Sequence, residues 1–141
     1  GLNRQFVQMQ TLQGAALVGH DVTLQGDRLA VTDGSGVGGF ELTGSADRVK
    51  VEILAPSGHV VDTLDLGAQG AGRHGFSWAA STLPDGAPYR FRVSATAGAA
   101  VVPSTPLMRD RVVAVSTAGD RLNLETQYSG SVGYADVKAF N

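Results

Sequence analysis

The 141 residues of this chain carry a formal net charge of −2 and include 19 glycines but no cysteine. A chain without cysteine cannot form disulfides, use a thiolate nucleophile or bind zinc through sulfur. Its slightly acidic balance offers no overall basic field for nucleic acid or an anionic membrane, and no apolar run is long enough to span a bilayer. The glycine content is typical of a turn-rich all-β protein.

The first 16 residues are predicted to form an amphipathic helix. Leu2, Phe6, Met9 and Leu12 recur at spacings of three and four, which places them on one helical face. A helix of about four turns is marginal alone and needs a surface to pack against. That surface is either the body of this chain or another copy, so the four residues are candidates for self-association. Because the sequence begins at Gly1 without a methionine, we expect a fragment of a longer protein.

The next segments predict a hairpin and a linker. Val22–Leu24 and Leu29–Val31 are short apolar runs joined by Gln-Gly-Asp-Arg, which indicates two paired strands. Thr32–Gly39 is rich in residues that break regular structure and is predicted to be a flexible connection.

The central part of the chain alternates apolar and polar residues, as half-buried strands do. We predict a strand near Phe40–Leu42, and further strands at Val49–Ala55, Val60–Leu66, Gly75–Trp78 and Tyr89–Ala97, with Ala99–Val102 as an edge. Pro-Ser-Gly after Ala55 predicts a hairpin turn. The predicted core of this β-sandwich consists of Val51, Ile53, Phe76, Trp78, Tyr89, Phe91 and Val93.

A second hairpin and a last strand follow the sandwich. Val112–Val115 and Leu122–Leu124 form the predicted hairpin, and Ala135–Phe140 the last strand. The tetrapeptide Gly-Asp-Arg-Leu occurs in both predicted hairpins, each of which is too small to be stable alone. We therefore predict a helix at 1–16, a discontinuous small barrel from 17–33 and 104–141, and a sandwich at 34–103 inserted into it.

No pattern in the sequence predicts catalytic, cofactor-binding or metal-binding residues. Gly34–Gly39 lacks the Gly-Lys-Ser/Thr of a phosphate-binding loop, and no serine stands in a Gly-x-Ser-x-Gly turn. Asp62 and Asp65 are interpreted as solvated strand-edge residues. The histidines have no ligand spacing and are not expected to bind metal; they are His20, His59 and His74.

Trp78 has two possible roles. It is either a core residue or an exposed platform on which sugars stack, with Tyr89 as a second candidate platform. The first role is favoured because Phe76 lies on the same face of its strand. The second would make the chain a carbohydrate-binding or adhesive module of a secreted protein.

The order of several short motifs resembles the flagellar hook-capping protein family over nearly the whole chain. The matching segments are Gln10–Val22, Val51–Val61, Gly72–Trp78, Leu83–Gly86, Tyr89–Val93, Arg111–Val115 and Leu122–Leu124. Each motif alone is common among β-sandwiches, whereas their order around a split barrel is more specific.

The resemblance implies a fibronectin type III-like sandwich inserted into a Tudor-like or SH3-like barrel. It also implies a non-enzymatic scaffold without cofactors, exported through the flagellar secretion channel and located outside the cell at the hook tip. The implied partners are hook subunits, further copies of the chain and the flagellar export apparatus, with no nucleic acid and no insertion into a membrane. Some Tudor-like barrels hold aromatic cages, for which the barrel segments offer only Tyr128, Tyr134 and Phe140.

Overall fold

The computed structural model describes residues 15–79 and 88–140, which are almost entirely β-structure. One 3-10 turn occurs in this part of the chain, at Tyr134–Asp136. The strands are β1 (Asp21–Gln25), β2 (Arg28–Thr32), β3 (Ser35–Leu42), β4 (Ala46–Leu54), β5 (Val60–Gln69), β6 (Gly72–Ala79), β7 (Tyr89–Ala97), β8 (Ala100–Val101), β9 (Ser104–Ala118), β10 (Arg121–Thr126), β11 (Gly130–Gly133) and β12 (Ala139–Phe140). The all-β prediction is confirmed.

The chain divides into two compact units. The larger unit is continuous and spans Gln25–Met108, and the smaller unit combines Gly1–Leu24 with Arg109–Asn141. β2 therefore belongs to the larger unit, whereas the sequence had grouped it with the barrel segment 17–33.

The larger unit contains two antiparallel sheets that share β2. The first sheet places β3 between β6 on one side and parts of β2 and β9 on the other. The second sheet has the order β2, β7, β4 and β5, with β8 at the far end of β7. The first residues of β2 pair with β7 and the last with β3, so this strand passes from one sheet to the other at a corner of the sandwich.

β3 corrects the prediction of a flexible linker at Thr32–Gly39. Only Asp33 and Gly34 form a turn, with φ values of 54° and 75°, as a two-residue hairpin between twisted strands requires. The glycines that follow allow close packing. A Cβ at Gly38 would lie 2.6 Å from Cζ of Phe76, and one at Gly36 would lie 3.0 Å from Cγ of Leu29. Glycine at these positions fits a strand that packs beneath large side chains. Composition alone does not distinguish such a strand from a flexible linker.

The predicted hairpin between Val22–Leu24 and Leu29–Val31 is wrong. β1 pairs with β12 and β9, whereas β2 pairs with β3 and β7. The intervening Gly26 is not at a turn tip, because its amide donates a hydrogen bond to the carbonyl of Pro106 at 3.0 Å. Two strands that are consecutive in the sequence thus take different partners.

Two further boundaries differ from expectation. The predicted division between the sandwich, 34–103, and the barrel segment, 104–141, does not separate their strands, because β9 begins at Ser104 and its Pro106 lies opposite Phe40 of β3. Of the predicted last strand Ala135–Phe140, the first two residues belong to the 3-10 turn and only β12 pairs, with Val22 and Thr23 of β1.

The predicted hairpins β4–β5 and β9–β10 are present. β4 and β5 are joined at Ala55–His59, where the Ala55 amide donates to the carbonyl of His59. β9 and β10 turn at Gly119, whose φ of 65° suits glycine, and β11 extends this hairpin into a three-stranded meander.

The predicted N-terminal helix, apart from its last two residues, falls outside the described part of the chain. Ala15 and Ala16 have helical backbone and residues 17–19 form a turn. Within residues 15–79 and 88–140, no helix is long and apolar enough to cross a membrane.

Candidate functional site

The aromatic centre of the larger unit is buried. Trp78 is 4% exposed and meets Tyr89 edge to face, with ring centroids 5.6 Å apart. Phe76 and Phe91 form a second edge-to-face pair at 5.0 Å. Because neither Trp78 nor Tyr89 presents a ring face to solvent, the sugar-stacking role lacks its platform.

The other core residues named from the sequence lie in the same cluster. Val51 and Ile53 are fully buried, and Val93 is partly buried against them. The predicted core list omitted Leu29, Phe40 and Val49, which are also fully buried. Alternation could have found Phe40 and Val49, but the position of Leu29 depends on the change of sheet within β2.

Asp62 and Asp65 serve the structure locally. Oδ2 of Asp62 accepts a hydrogen bond from Nε1 of Trp78 at 2.8 Å, which gives the buried indole its partner. Oδ1 of Asp62 accepts from the Thr63 amide, and Oδ1 of Asp65 from the Gly67 amide. The strand-edge interpretation therefore missed the bond between Asp62 and Trp78, which is a contact between strands that the sequence pattern does not encode.

The three histidines lie apart in chemically different settings. His59 is exposed at the β4–β5 turn, His74 contacts the Phe40 ring and bonds to the carbonyl of Gly70 at 2.6 Å, and His20 accepts the Val112 amide through its carbonyl. Within the described ranges, no three His, Cys, Asp or Glu side chains are grouped to hold a metal ion.

The outer face of the second sheet carries a concentration of positive charge. Alternate residues of β4 and β7 point outward, as their alternating burial shows, and Arg28 is in register with Arg90. We call this surface the basic face; its cations are Arg28, Arg48, Lys50, Arg90 and Arg92. The signal was present in the sequence as Arg48-x-Lys50 and Arg90-x-Arg92, but only strand pairing brings the two segments together.

Two carboxylates on the basic face are bonded to arginines. Glu52 lies opposite Arg92 and accepts from its Nε at 3.1 Å, and Asp27 accepts from Arg90. The hydrogen bond from Arg92 lowers the pKa of Glu52 below its ordinary value of 4.5, and the same bond raises the pKa of Arg92. Both arginines stay largely exposed, with side-chain exposures of 62% for Arg90 and 58% for Arg92.

The outer face of the first sheet is different. Its paired positions carry small side chains, Val37 opposite Ser77 and Gly39 opposite Gly75. Glu41 and Arg73 form an ion pair there at 3.1 Å. This pair has the same 3.1 Å distance from Nε to Oε1 as that of Glu52 with Arg92.

The smaller unit contains a buried carboxylate. Asp110 is 2% exposed and accepts hydrogen bonds from the amides of Arg111, Tyr128 and Ser129. Thr126 supports the same turn, because its hydroxyl donates to the carbonyl of Gly130 at 2.7 Å. Asp110 therefore fixes the turn between β10 and β11.

Of the aromatic residues considered for a cage, Tyr134 and Phe140 contact each other. Their ring centroids are 5.4 Å apart in a tilted arrangement. Tyr128 is 44% exposed on the turn that Asp110 holds. These positions do not define a binding site.

The predicted self-association residues lie outside the described residues. They are Leu2, Phe6, Met9 and Leu12.

Comparison with known proteins gives consistent matches. The family model of the FlgD Ig-like domain matches residues 26–99. The basal-body rod modification protein FlgD of Escherichia coli K12 is 33% identical over 140 residues, which cover 89% of this chain and 60% of that protein. The chain thus spans about three fifths of this curated relative.

Two crystal structures of FlgD share the fold. That from P. aeruginosa is 25% identical with a TM-score of 0.72, covering 89% of this chain and 98% of the solved chain. That from Xanthomonas campestris is 29% identical with a TM-score of 0.72, covering 94% of this chain and 99% of the solved chain. The X. campestris structure was presented as giving insights into the hook capping that is essential for flagellar assembly.

Proposed function

This chain belongs to the FlgD Ig-like domain family, and we propose that it is part of a non-enzymatic scaffold that caps the growing flagellar hook. The observation that carries the proposal is its likeness to X. campestris FlgD over almost the whole of both chains. The chemistry of these residues is consistent with a scaffold, because the prominent aromatic residues and carboxylates make hydrogen bonds and ring contacts within the fold.

We also propose a fold type for each of the two units. The larger unit is a fibronectin type III-like sandwich inserted into a small Tudor-like barrel formed by the smaller unit, with a short helix before it. The discontinuous chain path of the smaller unit supports an insertion.

The scaffold acts as a homo-oligomer at the distal tip of the hook, outside the cell. It reaches that position through the flagellar export apparatus and guides the polymerisation of hook subunits. The absence of cysteine is compatible with a chain that refolds after export, because such a chain does not depend on disulfide formation.

Genetic complementation tests the function. In a strain that lacks its own hook-capping protein, the full-length protein carrying this sequence should restore hooks, seen by electron microscopy, and swimming in soft agar. A strain that expresses and exports the protein but forms no hooks would contradict the proposal.

We further predict that the N-terminal helix contributes to self-association. Phe6→Asp combined with Met9→Asp should lower the mass measured by light scattering on the full-length protein, because an apolar stripe of this kind packs against neighbouring copies. An unchanged mass, with the parent protein oligomeric, would place the contacts in the β units.

A further inference from the structure

We propose that Asp62, Asp65 and Gln69 close the free edge of β5, so that this strand does not pair with β5 of a second copy. The side chains of these three residues bond to backbone groups of their own strand. The inference concerns the larger unit alone and does not depend on the proposed function. It assigns a surface that copies of the chain do not share.

β5 lies at an edge of the second sheet. Among the described strands it pairs with β4 alone, and it is 10 residues long. Its first two residues, Val60 and Val61, are β-branched and each 45% exposed. A long exposed strand of this kind offers backbone donors and acceptors to another chain. The free edge of β5 is therefore a place where protection against strand pairing is required.

Two carboxylates occupy backbone amides of β5. The Thr63 amide donates to Oδ1 of Asp62 at 2.8 Å. The Gly67 amide donates to Oδ1 of Asp65 at 3.0 Å. A new strand can use an amide bonded in this way only after the side chain has left it.

A neutral side chain occupies a backbone acceptor of the same strand. Nε2 of Gln69 donates to the carbonyl of Leu66 at 2.9 Å. Charge adds to this protection, because Asp62 and Asp65 are both exposed and are the charged residues of β5. Pairing with β5 of a second copy would bring four carboxylates onto one edge, where like charges repel.

The carboxylate of Asp62 is held in place from the other sheet. Asp62 is in register with the fully buried Ile53, and its Oδ2 accepts from Nε1 of Trp78 on β6 at 2.8 Å. The side chain thus points toward the first sheet. A charge that points inward at a sheet edge opposes pairing, because an added strand would help to bury it.

Two substitutions with a matched control test the proposal in the full-length protein. Asp65→Ala exposes the Gly67 amide and leaves the bond between Asp62 and Trp78 in place. Gln69→Ala exposes the Leu66 carbonyl without a change in charge. Thermal unfolding establishes that the variants are folded, sedimentation velocity measures self-association, and amide hydrogen exchange at increasing protein concentration locates the contact.

Asp47→Ala is the control. Asp47 is also an exposed carboxylate that accepts a backbone amide, that of Gly98 at 2.8 Å, but it lies on β4. Its removal changes the net charge as much as Asp65→Ala does.

We expect Asp65→Ala to strengthen self-association on the order of tenfold, which is the effect of one added hydrogen bond. Gln69→Ala should act in the same direction, and Asp47→Ala should stay within about twofold of the parent. In the first two variants, exchange of the amides in Val60–Gln69 should slow as the protein concentration rises. Val61→Lys added to Asp65→Ala should restore parental behaviour, because a lysine on an edge strand opposes pairing.

Equal self-association of Asp65→Ala and Asp47→Ala would overturn the inference. Stronger association that leaves exchange in β5 unchanged would also contradict it, because the contact would then lie on another surface. A parent protein whose β5 amides already exchange more slowly at high concentration would show that the edge is open. Complementation by the parent protein is scored separately, so none of these results decides the proposed function.

Discussion

The larger unit buries pairs of aromatic rings, whereas the smaller unit buries aliphatic side chains and a carboxylate. In the sandwich, two edge-to-face pairs and the surrounding aliphatic residues fill the space between the sheets. In the smaller unit, Val22, Leu122 and Leu124 are buried, and so is Asp110, which accepts hydrogen bonds from three backbone amides. A short meander buries little apolar area, so directed hydrogen bonds fix a turn that apolar packing alone would leave poorly defined.

This difference predicts where each unit is sensitive to mutation. The sandwich should respond most to lost or added volume, and the smaller unit to the loss of an acceptor. The following substitutions test that contrast, from the largest expected effect to the smallest.

Trp78→Ala should destabilise the larger unit by roughly 3–5 kcal/mol, because it empties a buried aromatic site. Chemical denaturation followed by circular dichroism measures the effect. Trp78→Phe keeps one ring, so it loses part of the buried volume together with the donor to Asp62 and should cost less than Trp78→Ala, about 1–3 kcal/mol. Equal losses for the two variants would mean that the hydrogen bond, and not the volume, dominates.

Asp110→Ala should destabilise the smaller unit by about 2–3 kcal/mol, because buried amides lose their acceptor. Amide hydrogen exchange should accelerate at Tyr128 and Ser129, whose N–H groups bond to this carboxylate. Asp120→Ala, at an exposed turn position, is the control. If both variants exchange and unfold alike, the carboxylate does not organise the turn.

Gly38→Ala should destabilise the sandwich by about 1–3 kcal/mol, because its Cβ would overlap the Phe76 ring at 2.6 Å. Gly44→Ala is the matched control, since a Cβ there meets nothing within 4 Å. Thermal unfolding of the two variants separates packing from the general effect of replacing glycine. A neutral Gly38→Ala would show that β3 can shift away from the rings.

Glu52→Gln should give the smallest effect, and one that depends on pH. The folded-state pKa of Glu52 lies below its ordinary value of 4.5, so the bond to Arg92 stabilises the fold above that pH and is lost as pH falls through the lowered pKa. The parent should melt slightly higher than the variant at pH 7, and the difference should shrink as the pH is lowered below 4.5. A difference that stays constant as the pH falls would assign it to something other than ionisation.

The candidate surfaces were only partly readable from the sequence. The apolar stripe Leu2, Phe6, Met9 and Leu12 is a prediction from residue spacing, which is a local property. The basic face was not found, because Arg28, Lys50 and Arg92 lie on three strands that are distant in sequence and adjacent only through pairing. Composition had indicated no overall basic field, yet strand register concentrates the cations on one face.

Local patterns determined the strands themselves. Alternation placed β4 and β7 within a few residues of their observed bounds, because period-two burial is set by the direction of successive side chains. It also identified Trp78 and Tyr89 as core residues.

Only the tertiary structure decided which strands pair. β1 and β2 are consecutive and short, and local signals predicted a hairpin, yet each pairs with strands that are distant in the sequence. The glycines of β3 were interpreted as flexible because glycine permits both mobility and close contact. The fold packs the side chains of Phe76 and Leu29 against that strand, so the glycines there allow close contact.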